Sequence, residues 1–600
     1  MKNNSKWLIL FLAVAMNLQT AESQNLKTPW TDKVNPQNVL PEYPRPMMQR
    51  DKWMNLNGKW NYAILQEDMG MPTDFDGDIL VPFPIESKLS GVEKHLRRGE
   101  TLWYERRFSV PVSWSGDNIM LHFGAVDHEA WVYVNGQLVT THIGGYAAFS
   151  CDITKALKPG ENRLSLKVLD ATDEFRQPIG KQRANPQGPG SIWYTSVSGI
   201  WQTVWMEPVN KSHVSNLRIT PDLDNNRFVV EAKVVGRKAE QLLRYTLLDE
   251  GKLVAQTTAS MGLPAIIDVR KPKYWCPDTP YLYDLKVELM SGNQVVDEVM
   301  SYAAMRKIST AKDNNGVWRL LLNNKVLFHF GPLDQGYWPD GLYTAPTDEA
   351  LKFDIQKTKD WGFNMIRKHM KVEPERWYYF CDSIGLLVWQ DMPAMMGSNE
   401  PWRPDEWYHG HEGLHAPEVE ANFKHEWKEI ISQFYSQPCI VVWTPFNEAW
   451  GQFKTEQIVE FTRSLDPTRL INTASGGNHF TVGDILDLHS YHRPPVLAFT
   501  DTTRPVVLGE YGGLGRHIPG HRWLETDATT YVNYADNKEL TDSYVEQAEA
   551  VIKLKDRICA AVYTQTTDVE TEVNGLMTYD RAIMKMDEPR IREVNQKICK

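Results

Sequence analysis

Cysteine is scarce in this 600-residue chain, with six residues at 151, 276, 381, 439, 559 and 599 and no C-x-x-C pair. That scatter excludes a zinc ribbon, a dithiol redox centre and a disulfide-built scaffold. A single disulfide stays compatible with an oxidising compartment. An apolar stretch long enough for a membrane span is also missing at the N-terminus. The run Trp7 to Met16 has ten residues, against the roughly 20 a bilayer-crossing helix needs. Positive charge is short as well. Lys and Arg number 65 against 76 Asp and Glu, a net charge of −11, which argues against nucleic acid or an anionic membrane surface as the main partner. No short internal repeat or low-complexity tract occurs.

Aromatic residues are plentiful instead: 22 Trp, 24 Tyr and 20 Phe. Flat apolar rings suit sugar faces, and they also suit large cores. Lys2 and Lys6 flank the start of the apolar run, and Ala21-Glu22-Ser23 places small residues at the −3 and −1 positions of a cut. The pattern reads as a secretory signal over residues 1–23 and predicts an exported chain from Gln24 to Lys600, periplasmic or extracellular.

Six hundred residues exceed one hydrophobic core. Residues 24–210 carry short alternating runs such as "NIMLHFGAV", "AWVYVNGQLV" and "RLSLKVLD", with Asn135-Gly136 as a hairpin signal. They read as a β-sandwich. Residues 211–308 hold a second set of strands, in a length that suits an immunoglobulin-like sandwich. From 309 to 600 apolar runs alternate with helical stretches, one opened by Thr347-Asp348-Glu349. Eight runs begin at Val326, Phe363, Leu386, Ile440, Leu470, Ile485, Pro505 and Ile558. Eight β/α units predict a (β/α)₈ barrel, whose chemistry gathers at the C-terminal ends of its strands.

Those ends supply Asp334, His369, Asp391, Asn447, Glu448, His489, Tyr491, Glu510 and Gln565. Glu448 follows the fourth run and Glu510 ends the seventh. Two acids on one barrel mouth can cleave a glycosidic bond, one protonating the leaving oxygen and the other attacking or activating water. Asn447-Glu448 has a plainer reading as a helix start, since Asn caps helices and an acid suits the first turn. Glu510 reads poorly that way, because Gly509, Gly512 and Gly513 around it suggest a tight turn. Asp391 could equally cap the next helix, and His369 could bond a loop carbonyl. His489 and Tyr491 alternate on one strand, so they share a face.

Several motifs resemble family 2 glycoside hydrolases of the retaining β-glycosidase clan. "TLWYERRFSVP", "HFGAVDHEAWVYVNGQLVTTHIGGYAAFSCDIT" and "SGIWQTVWMEPV" resemble the family's sugar-binding jelly roll. "GFNMIRKH", "CDSIGLLVWQDMP", "WTPFNEAWG" and "VVLGEYGG" resemble its barrel. The resemblance implies the order jelly roll, immunoglobulin-like sandwich, barrel. It implies Glu448 as general acid/base, starting protonated, and Glu510 as the ionised nucleophile. Asn447 would donate to the sugar 2-hydroxyl. From their places at the barrel mouth, and not from the resemblance, His369, Asp391, Asp334, His489, Tyr491, Trp338 and Gln565 are expected to line the pocket. No metal or other cofactor is implied, and the partner is an oligosaccharide or polysaccharide-derived glycan. A homo-oligomer is compatible with the chain.

The resemblance points first to a β-galactosidase, with β-glucuronidase, β-mannosidase, β-galactofuranosidase or β-arabinofuranosidase as alternatives. Glucuronidases of the family carry Asn-x-Lys before a Gly near the last strand. Here Glu572-Val573-Asn574 precedes Gly575 and the lysine is absent. "FGPLDQGYWPDG" and "RKHMKVEP" also depart from the usual pattern. Two readings from other classes stand beside this one. A barrel that has lost activity would leave a carbohydrate-binding protein. The loop "EWYHGHEGLH", with His409, His411, His415 and Glu412, offers a metal-dependent hydrolase or, with Trp402, Trp407 and Tyr408, an aromatic rim. The long polar segment "DEFRQPIGKQRANPQGPGSIWYTS" either reaches the barrel mouth or forms a surface connection.

Overall fold

The computed structural model describes residues 26–172, 176–183, 192–397, 401–524 and 529–600; the expected export signal lies outside them. The first sandwich packs two antiparallel sheets. One has four strands in the order Met54–Asn55, Val204–Val209, Asn118–Phe123, Phe149–Asp152. The other has six, from Gly77–Val81 at one edge to Gln137–Ile143 at the other. Asn135 and Gly136, at φ 53° and 82°, form the turn between Glu129–Val134 and Gln137–Ile143, as an Asn-Gly pair favours. The second sandwich sets three strands, beginning with His213–Asp222, against four, ending with Gln294–Ala303. Its inner residues, including Phe228, Tyr245, Leu285 and Val287, are fully buried.

Eight parallel strands then form the barrel. They are β1 (His329–Asp334), β2 (Met365–Lys368), β3 (Leu387–Asp391), β4 (Ile440–Thr444), β5 (Leu470–Ile471), β6 (Leu486–Ser490), β7 (Val506–Gly512) and β8 (Ala560–Thr564). Hydrogen bonding follows the order β5-β4-β3-β2-β1-β8-β7-β6, and a parallel bridge from Asn472 to Ile485 closes the ring. Strands buried on both faces read as unbroken apolar runs, which is why these segments stand out in the sequence. The first begins later than Val326, because Lys325–Val326 pairs instead with Trp318–Leu322 in a small antiparallel sheet ahead of the barrel.

Helices follow only six of the eight strands: α1 (Asp348–Asp360), α2 (Glu375–Ile384), α3 (Pro417–Phe434), α4 (Thr455–Leu465), α5 (Asn537–Leu554) and α6 (Glu588–Cys599). Thr347 caps α1 by accepting from the Ala350 N–H. The connections after β5 and β6 contain no α-helix. Their sequences, "GGNHFTVGD" and "HRPPVLAFTDTTRP", carry the glycines and prolines that break helices.

The jelly roll docks on the barrel through aromatic packing. Tyr146, Tyr194 and Trp201 join the barrel's core with Tyr337 and Tyr343, and His128 Nε2 lies 2.9 Å from Glu426 on α3. All six cysteines are free thiols. Among the described residues no helix is long and apolar enough to cross a membrane.

Candidate active site

Asn447 and Glu448 do not start a helix. Glu448 and Ala449 have φ of 48° and 64°, and α4 begins only at Thr455. The Glu448 N–H donates to the Ser475 carbonyl at 2.9 Å, so the loop after β4 is held against the loop after β5. Gly476, at φ 57°, leaves room beside it for the His489 ring, which a Cβ there would meet at 2.1 Å. Glu510 lies inside β7 and not in a tight turn, at a register shift between Leu508 and Tyr511. The pleat distortion of a bulge re-aims a side chain.

These backbones bring three groups together. One ligand atom each of Glu448, His489 and Glu510 lies within 4.8 Å of the others. That suits the short carboxyl separation of a retaining glycosidase, about 5–5.5 Å, better than the roughly 6.5–9.5 Å of an inverting one. His489 Nδ1 sits between the two acids, 2.8 Å from Glu448 Oε1 and 3.6 Å from Glu510 Oε2. Its Nε2 is 2.8 Å from Ser475 Oγ, which donates to Asp487 at 2.6 Å. Burial alone would lower the imidazole, but the carboxylates of Glu510, Glu448 and Asp487 outweigh it and raise its pKa.

Glu510 is held by two donors: the Tyr491 hydroxyl bonds Oε2, and Arg367 Nη1 donates to Oε1 at 3.2 Å. Burial by itself would push this carboxyl up. The charges of His489 and Arg367, with the Tyr491 hydrogen bond, prevail and hold it at about 2. Arg367 is fully buried and organises the mouth. Its guanidinium also donates to Asp391 at 2.9 Å, to Asn447 Oδ1 at 2.7 Å and to the Gly509 carbonyl at 3.1 Å. A buried cation with this many acceptors is what allows two carboxylates to sit uncovered by water. With Asn447 Oδ1 held by Arg367, its amide nitrogen is buried and finds no hydrogen-bond partner among the described residues, a donor ready for a hydroxyl.

His369 Nδ1 is 2.8 Å from Asp391 Oδ2. Burial, with the cations Lys181 and Arg367 nearby, pushes this histidine well below the ordinary imidazole range. It is therefore neutral, donating from Nδ1 to Asp391. Asp391 is thus bound to Arg367 and His369 and caps no helix. Asp334 is tied up with Lys368 at 2.7 Å and with the Gly336 N–H. Gln565 is fully buried and donates to Asn574 at 2.7 Å. Asn574, where a lysine would stand, donates to Glu572 at 3.0 Å.

Two groups of expected site residues lie elsewhere. Trp338 is 2% exposed, with Trp30 edge-on to its ring and the Arg581 guanidinium 3.9 Å over it. Both approaches are filled, so it belongs to the core and offers no sugar platform. Of the rim aromatics, only Trp402 is exposed. Tyr408 is buried, and Trp407 packs against Phe499 beneath Arg504. The loop histidines do not converge. Among the described residues Glu448, His489 and Glu510 form the one group of His, Cys, Asp or Glu spaced to hold a metal. His415 faces the Gly451 carbonyl, and Glu412 accepts from Thr455.

The polar jelly-roll segment does reach the mouth in its described part. Ile179 and Gly180 donate their N–H groups to the Ala394 carbonyl, just beyond β3. Arg367, Ser475, Asp487 and Lys181 were not among the expected site residues. Arg367 and Asp487 had a readable signal, each as a charge inside an apolar strand.

Comparison with known proteins agrees with this architecture. Residues 81–206 match the family model "Glycosyl hydrolases family 2, sugar binding domain", residues 212–306 match "Glycosyl hydrolases family 2", and residues 319–598 match "Glycosyl hydrolases family 2, TIM barrel domain". A β-glucuronidase of Paenibacillus borealis is 27% identical over 442 residues, 69% of each chain. A β-galactosidase of Thermoanaerobacter pseudethanolicus is 26% identical over 445 residues, 69% of this chain and 54% of that one. The fold is shared with the structure of a β-D-glucuronidase from Dictyoglomus thermophilum, with a TM-score of 0.72 at 20% identity, covering 92% of this chain and 98% of that one. The chain spans less than half the length of two of the curated relatives it matches, 44% and 34%. With three family models matched in order along most of its length, the chain belongs to glycosyl hydrolase family 2.

Proposed function

We propose that this chain is a retaining exo-β-glycosidase that releases a terminal β-linked sugar, with a uronic acid of the glucuronide type as the sugar. The observation that carries the reaction is the Glu448–His489–Glu510 cluster. Glu510, ionised and aligned by Tyr491 and Arg367, attacks the anomeric carbon. Glu448 protonates the departing oxygen, and a covalent glycosyl-enzyme forms. Glu448 then takes a proton from water, which attacks the same carbon and frees the sugar. His489 sits within reach of both acids and balances their charge between the two steps. The free amide of Asn447 donates to the 2-hydroxyl, a bond that strengthens as positive charge develops on the ring.

For the sugar, support comes from relatives and fold neighbours named as β-glucuronidases. A β-galactoside is the second reading, supported by Asn574 at the position where a carboxylate-binding lysine would stand and by a relative named as a β-galactosidase. The N-terminal pattern of Lys2, Lys6, Trp7–Met16 and Ala21-Glu22-Ser23 supports export. Nitrophenyl glycosides test the reaction: β-glucuronide, β-galactoside, β-glucoside and β-mannoside, with their α-anomers. The expected outcome is release from a β-glycoside, the glucuronide fastest, with the α-anomers inert. Hydrolysis of an α-anomer, or of none of the β-glycosides, would contradict the assignment.

A further inference from the structure

Lys181 has no place in the chemistry described so far, yet it lies at the mouth. It is 6% exposed. Its ammonium stands 5.6 Å from the centre of the Tyr194 ring and 5.7 Å from that of Trp450. No carboxylate lies within salt-bridge distance of it among the described residues. Two rings attract a cation, but weakly beside the hydration an ammonium gives up on burial. Buried charges ordinarily find a counter-charge. Here no counter-charge is found among the described residues.

The position of this cation is built. Gly180, at φ 59°, carries no Cβ; one there would meet the Met370 carbonyl oxygen at 2.4 Å. The jelly-roll chain can therefore wedge between the end of β2, where His369 sits, and the segment after β3, where Ala394 accepts two N–H groups. Trp450 lies two residues after the acid Glu448. Tyr194 bonds Glu572 in the loop after β8. Lys181 is thus bracketed by the loops that follow β2, β3, β4 and β8, and its charge reaches His369 strongly enough to help keep that ring neutral.

We propose that the Lys181 ammonium determines specificity by pairing with the carboxylate of a uronic acid seated at the barrel mouth. The inference rests on the glycosidase reading above and adds the residue that would read the acid. A carboxylate arriving with the sugar supplies the missing partner, and a neutral sugar leaves the cation stranded. The lysine would come from the jelly roll and not from the barrel, so the first sandwich would be part of the pocket.

The test compares nitrophenyl β-glucuronide with β-glucoside, which differ only in a carboxylate against a hydroxymethyl at C5. In Lys181→Met the ratio of their kcat/KM values should fall by about a hundredfold, the usual scale for truncating one partner of a buried charge pair. Lys181→Arg should keep most of the ratio. An unchanged ratio in a Lys181→Met protein with a wild-type melting curve would overturn the proposal. So would a wild-type enzyme that prefers the glucoside, although the glycosidase reading would survive that result. If neither turns over but a β-galactoside or β-mannoside does, the proposal is overturned and the glycosidase reading stands. If no β-glycoside turns over, it is the glycosidase reading that fails, and thermal shift with D-glucuronate decides the lysine. Stabilisation in wild type that is lost in Lys181→Met upholds it, and no stabilisation in wild type overturns it.

Discussion

Glu510→Ala lowers turnover of the preferred β-glycoside by roughly 10⁴-fold or more, the equivalent of about 5.5 kcal/mol of barrier lowering at 1.36 kcal/mol per decade. The size follows from the role. Without this carboxylate no glycosyl-enzyme forms, and the shorter side chain leaves a gap beneath the sugar. Azide is small enough to occupy that gap and attack directly. It should restore turnover of an activated substrate and yield the α-glycosyl azide, with one inversion in place of two. Since His489 and Arg367 hold Glu510 at about 2, the wild-type nucleophile is ionised well below neutral pH. An acid limb in the pH dependence of kcat/KM therefore belongs to another group. Nuclear magnetic resonance of the azide product checks the configuration, and a β-azide from Glu510→Ala would refute the nucleophile assignment.

Glu448→Ala has the other large effect, and its signature depends on the leaving group. Substrates with alkyl aglycones need a proton to depart and should lose about 10²–10⁴-fold, the usual worth of a positioned general acid. A dinitrophenolate leaves without help, so its departure should be much less affected, and the glycosyl-enzyme should accumulate because no base activates water. A pre-steady-state burst followed by a slow phase is the expected trace. Azide, which needs no base, should abolish the slow phase and give the β-glycosyl azide. Equal losses for alkyl and dinitrophenyl substrates would exclude Glu448 as the acid.

Much of this site could be read from the chain alone, for a physical reason. Parallel strands covered on both faces carry no alternation, so each shows up as an apolar run, and the polar residue that ends the run marks the mouth. Asn447, Glu448, His489, Tyr491 and Glu510 are all found that way and come together in the folded protein. Trp338 shows the limit. Its place near a strand end says nothing of Trp30 and Arg581, each hundreds of residues away, that fill the space around its ring. The left-handed backbone at Glu448 and Ala449 was hidden for a similar reason, since Asn-Glu is also a good helix start and only the contact with Ser475 decides between them. Lys181 lies in a segment whose reach toward the barrel was an open alternative. What its cation faces depends on Trp450 and Tyr194, one on the barrel and one on the jelly roll.

The central claim is a double displacement by Glu510 and Glu448. The most direct test follows the hydrolysis of an aryl β-glycoside by proton nuclear magnetic resonance from the first turnovers, before the free sugar equilibrates. The account predicts that the β-anomer of the released sugar appears first and the α-anomer grows in only by mutarotation. The α-anomer appearing first would mean a single displacement by water and would contradict the mechanism.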